Sequence, residues 1–297
     1  MILVIGTKRS GTSLWMQILV EGGFPHIGEA FPGPWEKSIR EANPKGFYES
    51  AFRQGVFYAT NPNPQTGEFL FPDAVQGHVV KVFIPGLVRT DYAYIGKVVA
   101  TMRHWREYAA SLARLYALED AWLAEHPREG MTGEQTVAWA RKHRGDRPPA
   151  VDWFLENYDL VRDVATRRYA VNLCSYESLL ADPEAMITRV FGWLGRGDPK
   201  AALQAVDRGL HRTRRASEPA PVDPGVRAES LQVFEDFYDA VHRTQSLDRA
   251  LLQKLNETYH RIEDEFGGLS RERGREDEEA PEDEPTAPPS PPTAYRR

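Results

Sequence analysis

The residues with the clearest capacity for chemistry lie near the start of the chain, in Gly6-Thr-Lys-Arg-Ser-Gly-Thr-Ser13. This segment follows a short apolar run at 2–5 and precedes a helical pattern that stops at Gly22-Gly23. In a strand–turn–helix joint, backbone N–H groups at the turn and at the helix N-terminus can bind an anion. Since the turn also carries Lys8, Arg9 and several hydroxyls, the sequence predicts a phosphate- or sulfate-binding loop.

The loop departs from the nucleotide-triphosphatase pattern, which places a lysine directly after the second glycine. Thr12 occupies that position, and the cations come earlier, at Lys8 and Arg9. Kinases and GTPases also need an acidic residue on a neighbouring strand to hold magnesium, and the apolar runs 79–84 and 98–102 contain none. The pattern therefore favours a reaction without metal, in which the protein's own cations neutralise the leaving group. Sulfuryl transfer fits this description.

Three segments, in this order along the chain, resemble the PAPS-dependent sulfotransferases, PAPS being 3′-phosphoadenosine-5′-phosphosulfate. Residues 7–13 resemble the family's 5′-phosphosulfate loop, with Arg9 in the place of a lysine. Val98–Arg103 and Ser111 are similar to its 3′-phosphate motif, and Tyr176-Glu-Ser-Leu-Leu-Ala-Asp-Pro183 resembles a later segment whose tyrosine lies near the adenine. The resemblance implies PAPS as donor, no metal, and the following donor-binding residues: Thr7, Lys8, Arg9, Ser10, Gly11, Thr12, Ser13, Arg103, Ser111 and Tyr176.

The family also binds the 3′-phosphate with a basic loop late in the chain. His211-Arg-Thr-Arg-Arg215 is the candidate here, which adds Arg212 and Arg214 to the expected donor-binding residues. No motif fixes the register of this cluster, and a solvated basic loop is the alternative interpretation.

The catalytic base is where the sequence departs from the family. Residues 81–85 are similar to the K-T-H-L-P strand of cytosolic members, but Phe83 replaces the histidine that takes the proton. Asn43–Glu49 resembles a bacterial segment that ends in glutamate, so Glu49 is the first candidate. Glu29 is the second and His26 the third, and for each a solvated loop position is the alternative. Arg9, helped by Lys8, is expected to stabilise the charge on the leaving group.

The elements that must position these residues follow from hydrophobic periodicity. Strands alternate with helices, which predicts βαβ units and a mostly parallel sheet flanked by helices, in a P-loop-like three-layer α/β fold. Residues 24–77 are rich in proline and are expected to be loops with short helices. Predicted strands are 79–84, 98–102 and 168–174, and predicted helices are about 105–118, 183–194, 226–243 and 247–266, with 119–168 helical except for a break at 145–149.

Composition limits the class of protein. The net charge of −6 argues against a nucleic-acid binder, and the lone Cys174 excludes an intramolecular disulfide. No apolar stretch is long enough to span a membrane, and no signal peptide is evident, so a cytoplasmic protein is expected. Residues 1–268 are predicted to form one domain. The acidic and proline-rich segment 269–297 is predicted to be a disordered tail.

Taken together, these features predict a bacterial-type sulfotransferase that moves a sulfuryl group from PAPS to a hydroxyl or amine. The acceptor is unknown and could be a small molecule, a carbohydrate or a peptide. Two alternatives stay open: a P-loop nucleotide kinase, and a non-catalytic nucleotide-binding protein of the same fold.

Overall fold

A computed structural model describes residues 1–32, 39–64, 66–207, 225–244 and 246–279. Its centre is a five-stranded sheet of order β2-β3-β1-β4-β5, in which every neighbouring pair is parallel. The strands are β1 Ile2–Gly6, β2 His26–Ile27, β3 Val79–Phe83, β4 Lys97–Met102 and β5 Ala170–Ser175. The chain is therefore an α/β protein with helices flanking a parallel sheet, as the alternating pattern predicts.

Strand β1 lies in the middle of the sheet, and all five of its residues are buried. Leu3 and Ile5 point into one hydrophobic cluster, whereas Ile2 and Val4 point into another on the opposite face. A central parallel strand is covered by helices on both faces, so it needs a continuous apolar run rather than an alternating one.

Helices cover both faces of this sheet. Trp15 packs with Val190 on one side, and Phe154 stacks on Phe234 with ring centroids 4.7 Å apart on the other. The helices are α1 Thr12–Glu21, α2 Ile84–Arg89, α3 Trp105–Glu125, α4 Gly133–Arg144, α5 Pro149–Arg167, α6 Tyr176–Ala181, α7 Pro183–Leu194, α8 Pro199–Ala202, α9 Ala228–His242 and α10 Arg249–Glu279.

The structure differs from the predicted elements at two places near the site. Strand β3 ends at Phe83 and α2 begins at once at Ile84, with Pro85 in its first turn. Proline is well tolerated there because its missing N–H has no intrahelical acceptor to lose. The apolar run continues across the junction, and for that reason it conceals the change from strand to helix. The two-residue strand β2 is too short to leave a periodic pattern.

The predicted C-terminal boundary of the domain, at residue 268, stays a prediction. Helix α10 continues to Glu279, beyond the predicted domain end at 268, while residues 280–297 lie outside the described part of the chain. Disorder of that last segment stays a prediction. In the described ranges, no helix is long and apolar enough to cross a membrane.

Candidate functional site

The predicted anion-binding loop joins β1 to α1 at the carboxyl end of the sheet. Gly11 adopts a φ of 102°, which glycine tolerates and other residues rarely do. The Ser10 hydroxyl donates to the Thr7 carbonyl at 2.8 Å, and the Thr101 hydroxyl from β4 donates to the Ser10 carbonyl at 3.1 Å. The loop is thus fixed to the neighbouring strand, and the first-turn N–H groups of α1, which have no intrahelical acceptor, remain available for an anion.

Tyr176 lies directly against this loop. A Cβ atom added to Gly11 would collide with the Tyr176 ring, so the ring covers the turn closely. The Arg103 guanidinium lies 4.8 Å from the centre of the same ring. Burial raises the pKa of the Tyr176 hydroxyl. The structure therefore brings together residues from three predicted motifs that are far apart in sequence.

The two arginines of these motifs are engaged with protein groups. The Nε of Arg9 donates to the Ser111 hydroxyl at 3.1 Å, and its Nη2 donates to the Ala42 carbonyl at 3.0 Å. Arg103 donates to the Arg9 carbonyl at 3.2 Å and pairs with Glu107 at 3.4 Å. Burial, reinforced by the positive charge of Arg103, lowers the pKa of Arg9 to about 10. Arg9 still keeps its charge at neutral pH.

On the other side of the loop, Lys81 of β3 forms an ion pair with Glu49. The Nζ–Oε1 distance is 2.5 Å, and each side chain is only 4% exposed. Lys81 also donates to the Ser13 hydroxyl at 3.1 Å and to the Phe47 carbonyl at 3.0 Å. Burial lowers the pKa of Lys81, and the negative charge of Glu49 opposes that effect. Lys81 thus connects the start of α1 to Glu49.

Lys81 was not among the predicted site residues, although the sequence contains a clue. It stands alone as a charged residue in the buried strand Val-Val-Lys-Val-Phe. A buried ammonium group requires a partner of opposite charge. Such a residue therefore indicates a nearby carboxylate, which here is Glu49.

A tight turn positions Glu49. The Asn43 side chain donates to the Gly46 carbonyl at 2.6 Å, and Gln17 of α1 donates to the same carbonyl at 3.1 Å. Glu49 then pairs with Glu29 through both main chains, at 2.9 and 3.0 Å, as an isolated antiparallel bridge. The segment 43–49 is thus held against helix α1.

These residues surround a cavity of about 620 Å³. Of the three candidate bases, only Glu49 lines this cavity; His26 is exposed on β2. Thr7 and Ser10 belong to the loop, but their side chains are buried in the protein and do not line the cavity. Arg212 and Arg214 lie outside the described residues. The predicted residues that line the cavity are Lys8, Arg9, Gly11, Thr12, Ser13, Glu49, Arg103, Ser111 and Tyr176.

The cavity differs in charge from the chain as a whole. Its wall carries six lysine or arginine side chains and four aspartate or glutamate side chains, whereas the whole chain has a net charge of −6. A concave, partly buried cluster of cations concentrates the field it produces and attracts anions. The arrangement therefore suits an anionic ligand at the carboxyl end of β1.

Comparisons with known proteins add no family to this description: no protein-family model matches the chain, and no curated protein sequence matches it. Within the described ranges, no group of three or more histidine, cysteine, aspartate or glutamate residues could hold a metal ion.

Proposed function

We propose that this protein is a sulfotransferase with a P-loop-like fold, which transfers the sulfuryl group of PAPS to a hydroxyl or amine acceptor. One observation carries the proposal. A single cavity joins the cationic loop between β1 and α1, the Arg103–Tyr176 contact on the β4 side, and the Glu49–Lys81 pair on the β3 side.

On the donor side, the first-turn N–H groups of α1 with Thr12 and Ser13 hold the 5′-phosphosulfate. Arg9 and Lys8 stabilise the negative charge that develops on the bridging oxygen as adenosine 3′,5′-bisphosphate leaves. Tyr176 packs near the adenine. Arg9 needs no change of protonation for this role, because a pKa of about 10 keeps it charged at neutral pH.

On the acceptor side, Glu49 is the general base. The acceptor oxygen or nitrogen forms a bond to sulfur as the bond between sulfur and the bridging oxygen breaks, and the acceptor's proton passes to Glu49. The Oε2 atom of Glu49 has no hydrogen-bond partner among the described residues, while Oε1 is held by Lys81. Lys81 thereby orients the carboxylate, and Phe83 supplies an apolar wall beside it.

Calorimetric titration with adenosine 3′,5′-bisphosphate tests the donor side. The wild-type chain should bind it, and Arg9→Ala should weaken binding and abolish transfer of labelled sulfate from PAPS to a library of hydroxyl and amine acceptors. Binding of ATP–Mg in preference to the bisphosphate would instead support a nucleotide kinase. Tight binding of PAPS with no transfer to any acceptor would support a non-catalytic nucleotide-binding protein.

A further inference from the structure

The side of the cavity assigned to the acceptor carries a third charged group besides Glu49 and Lys81. Arg53 lies in the 3₁₀ turn Ala51–Gln54, which begins after the Ser50 cap and therefore directly follows the segment that ends in Glu49. This turn packs on β3 and α2, which lie on the same side of the loop as the Glu49–Lys81 pair. Arg53 is half-buried and lines the cavity.

The main chain of this turn is fixed at the end of β3. Gly86, in the first turn of α2, approaches it so closely that an added Cβ atom would lie 2.9 Å from the Arg53 carbonyl oxygen. Burial lowers the pKa of Lys81, the Glu49 carboxylate opposes this effect, and the positive charge of Arg53 adds to the lowering. The Arg53 guanidinium is therefore held near the group that orients the proposed base.

The charges on this side of the cavity add up to one positive charge in the described part of the wall. Glu49 and Lys81 compensate each other in their ion pair, so the sign is set by Arg53. The remaining carboxylates of the wall belong to the 3₁₀ turn Arg40–Ala42, to α3 and to the segment after α8: Glu41, Glu119 and Asp207. A concave, cationic site favours an anionic ligand over a neutral one.

We propose that Arg53 binds a carboxylate group of the acceptor, so that the preferred substrates are hydroxyl or amine compounds that already carry a negative charge. This inference rests on the proposed function and specifies its acceptor. A guanidinium group binds a carboxylate through two parallel, charge-assisted hydrogen bonds. The single positive charge on this side matches a carboxylate better than a doubly charged phosphate monoester.

The test uses pairs of acceptors that have nearly the same shape and differ in charge, each a carboxylate and its carboxamide. The pairs are 4-hydroxyphenylacetate with 4-hydroxyphenylacetamide, glucuronate with glucuronamide, and 3-hydroxybutyrate with 3-hydroxybutyramide. Transfer of labelled sulfate from PAPS gives kcat/KM for each compound. In the wild type, kcat/KM for the carboxylate should exceed that for its carboxamide roughly tenfold or more. Arg53→Gln should reduce this ratio to within about twofold, and Arg53→Lys should retain part of it because it keeps the charge.

Arg89→Gln is the matched control. It removes an exposed arginine from the last turn of α2, the helix on which the turn 51–54 packs, and Arg89 does not line the cavity. This variant should show the wild-type preference for carboxylates. Circular dichroism verifies folding of each variant, and calorimetry with adenosine 3′,5′-bisphosphate should give the wild-type affinity for Arg53→Gln, since Arg53 lies outside the donor loop.

The outcomes separate this inference from the function on which it rests. If the wild type transfers sulfate only to uncharged acceptors, prefers carboxamides or makes no distinction, the role of Arg53 is overturned, whatever the variants do. Equal loss of transfer to both members of a pair in Arg53→Gln overturns it as well. In each of these cases transfer from PAPS has been observed, so the proposed function stands. If no compound in these pairs or in the wider acceptor library receives sulfate, the proposed function and this inference both fail.

Discussion

Lys81 and Glu49 form an ion pair in which both partners are almost fully buried. Removing two charges from water is costly, and removal of one partner leaves the other buried without compensation. A substitution of Glu49 alone therefore changes two things together, the proton acceptor and the charge balance of the interior. Experiments on the catalytic base need a variant that separates these two effects.

Glu49→Gln should lower kcat on the order of 100- to 10,000-fold, the usual range for loss of a general base, while nucleotide affinity changes little. It should also cost about 3–5 kcal/mol of stability, because Lys81 loses its counter-ion. The double variant Glu49→Gln/Lys81→Met should regain much of the stability but not the turnover. Transfer assays, calorimetry and urea unfolding provide the three measurements.

Glu29→Gln serves as the control for this series, because Glu29 does not line the cavity and should leave kcat near that of the wild type. Near-normal turnover in Glu49→Gln would remove Glu49 from the mechanism.

Glu156 of α5 should make stability depend on pH. Burial, followed by the negative charge of Asp152, raises its pKa to about 8, while Lys8 and Arg147 act in the opposite direction. Between its ordinary value of 4.5 and about 8, the folded protein binds more protons at this site than the unfolded chain does. Stability from this group therefore falls as pH rises through that interval. Glu156→Gln should flatten the dependence and raise Tm at pH 9 relative to wild type.

Melting curves at pH 6 and pH 9 for wild type and Glu156→Gln measure this effect. The exposed Glu68 provides the comparison, since Glu68→Gln should leave the difference between the two pH values unchanged. An equal pH dependence in wild type and Glu156→Gln would show that the carboxyl of Glu156 titrates normally.

At the scale of elements, the turn between β1 and α1 depends on a close approach to Tyr176, the first residue of α6. Gly11→Ala should place a methyl group against the ring and also impose a left-handed backbone on alanine, which costs about 1–2 kcal/mol. Nucleotide binding should fall sharply because the turn and the ring must move apart.

Gly23→Ala separates the two causes. Gly23 also has a positive φ, of 89°, but a Cβ atom there would meet open space. It should lower Tm by a similar backbone cost and leave nucleotide affinity unchanged. If Gly11→Ala bound nucleotide as well as Gly23→Ala does, the contact with Tyr176 would not matter for the site.

How much of this architecture can be predicted from sequence depends on the range of the interactions involved. The strands β1, β3 and β4 and the helix α7 follow from local periodicity, and α7 occupies the predicted range, Pro183–Leu194. The loop and its order relative to Arg103 and Tyr176 could also be predicted. The bonds from Arg9 to Ser111 and from Lys81 to Glu49 could not, because they join residues that only the sheet order brings together.

At the scale of the whole molecule, the chain carries a net charge of −6, whereas the wall of the cavity has more cationic than anionic side chains. The acidic segment that begins near residue 276 accounts for much of the negative charge. Buried side chains of α10, Leu255 and Ile262, precede that segment and tie the helix to the core near Tyr158 and Phe154. The charge of the tail and the packing of the helix are therefore separable.

Truncation after Gly268 should leave the core intact, because it retains Leu255 and Ile262. The Tm should fall by less than about 4 °C. A fall of about 4 °C would correspond to a loss of about 1 kcal/mol or more of stability for a domain of this size. Truncation after Gln253 is the comparison and should lower Tm strongly, since it removes both buried side chains. A large loss of Tm on the shorter deletion would show that the segment beyond 268 contributes to folding.

The hydrogen bond from Arg9 to the Ala42 carbonyl has a consequence for how the binding of the two substrates is coupled. Under the proposed mechanism, Arg9 turns toward the bridging oxygen of the donor and gives up its hydrogen bond to Ala42, which ends the 3₁₀ turn Arg40–Ala42. The same segment leads into Asn43–Glu49, so donor binding and the shape of the acceptor wall are thermodynamically linked. Such linkage is reciprocal: if the donor strengthens acceptor binding by some factor, the acceptor strengthens donor binding by the same factor. Initial-rate kinetics should then show synergy, in which the KM for each substrate falls as the concentration of the other rises.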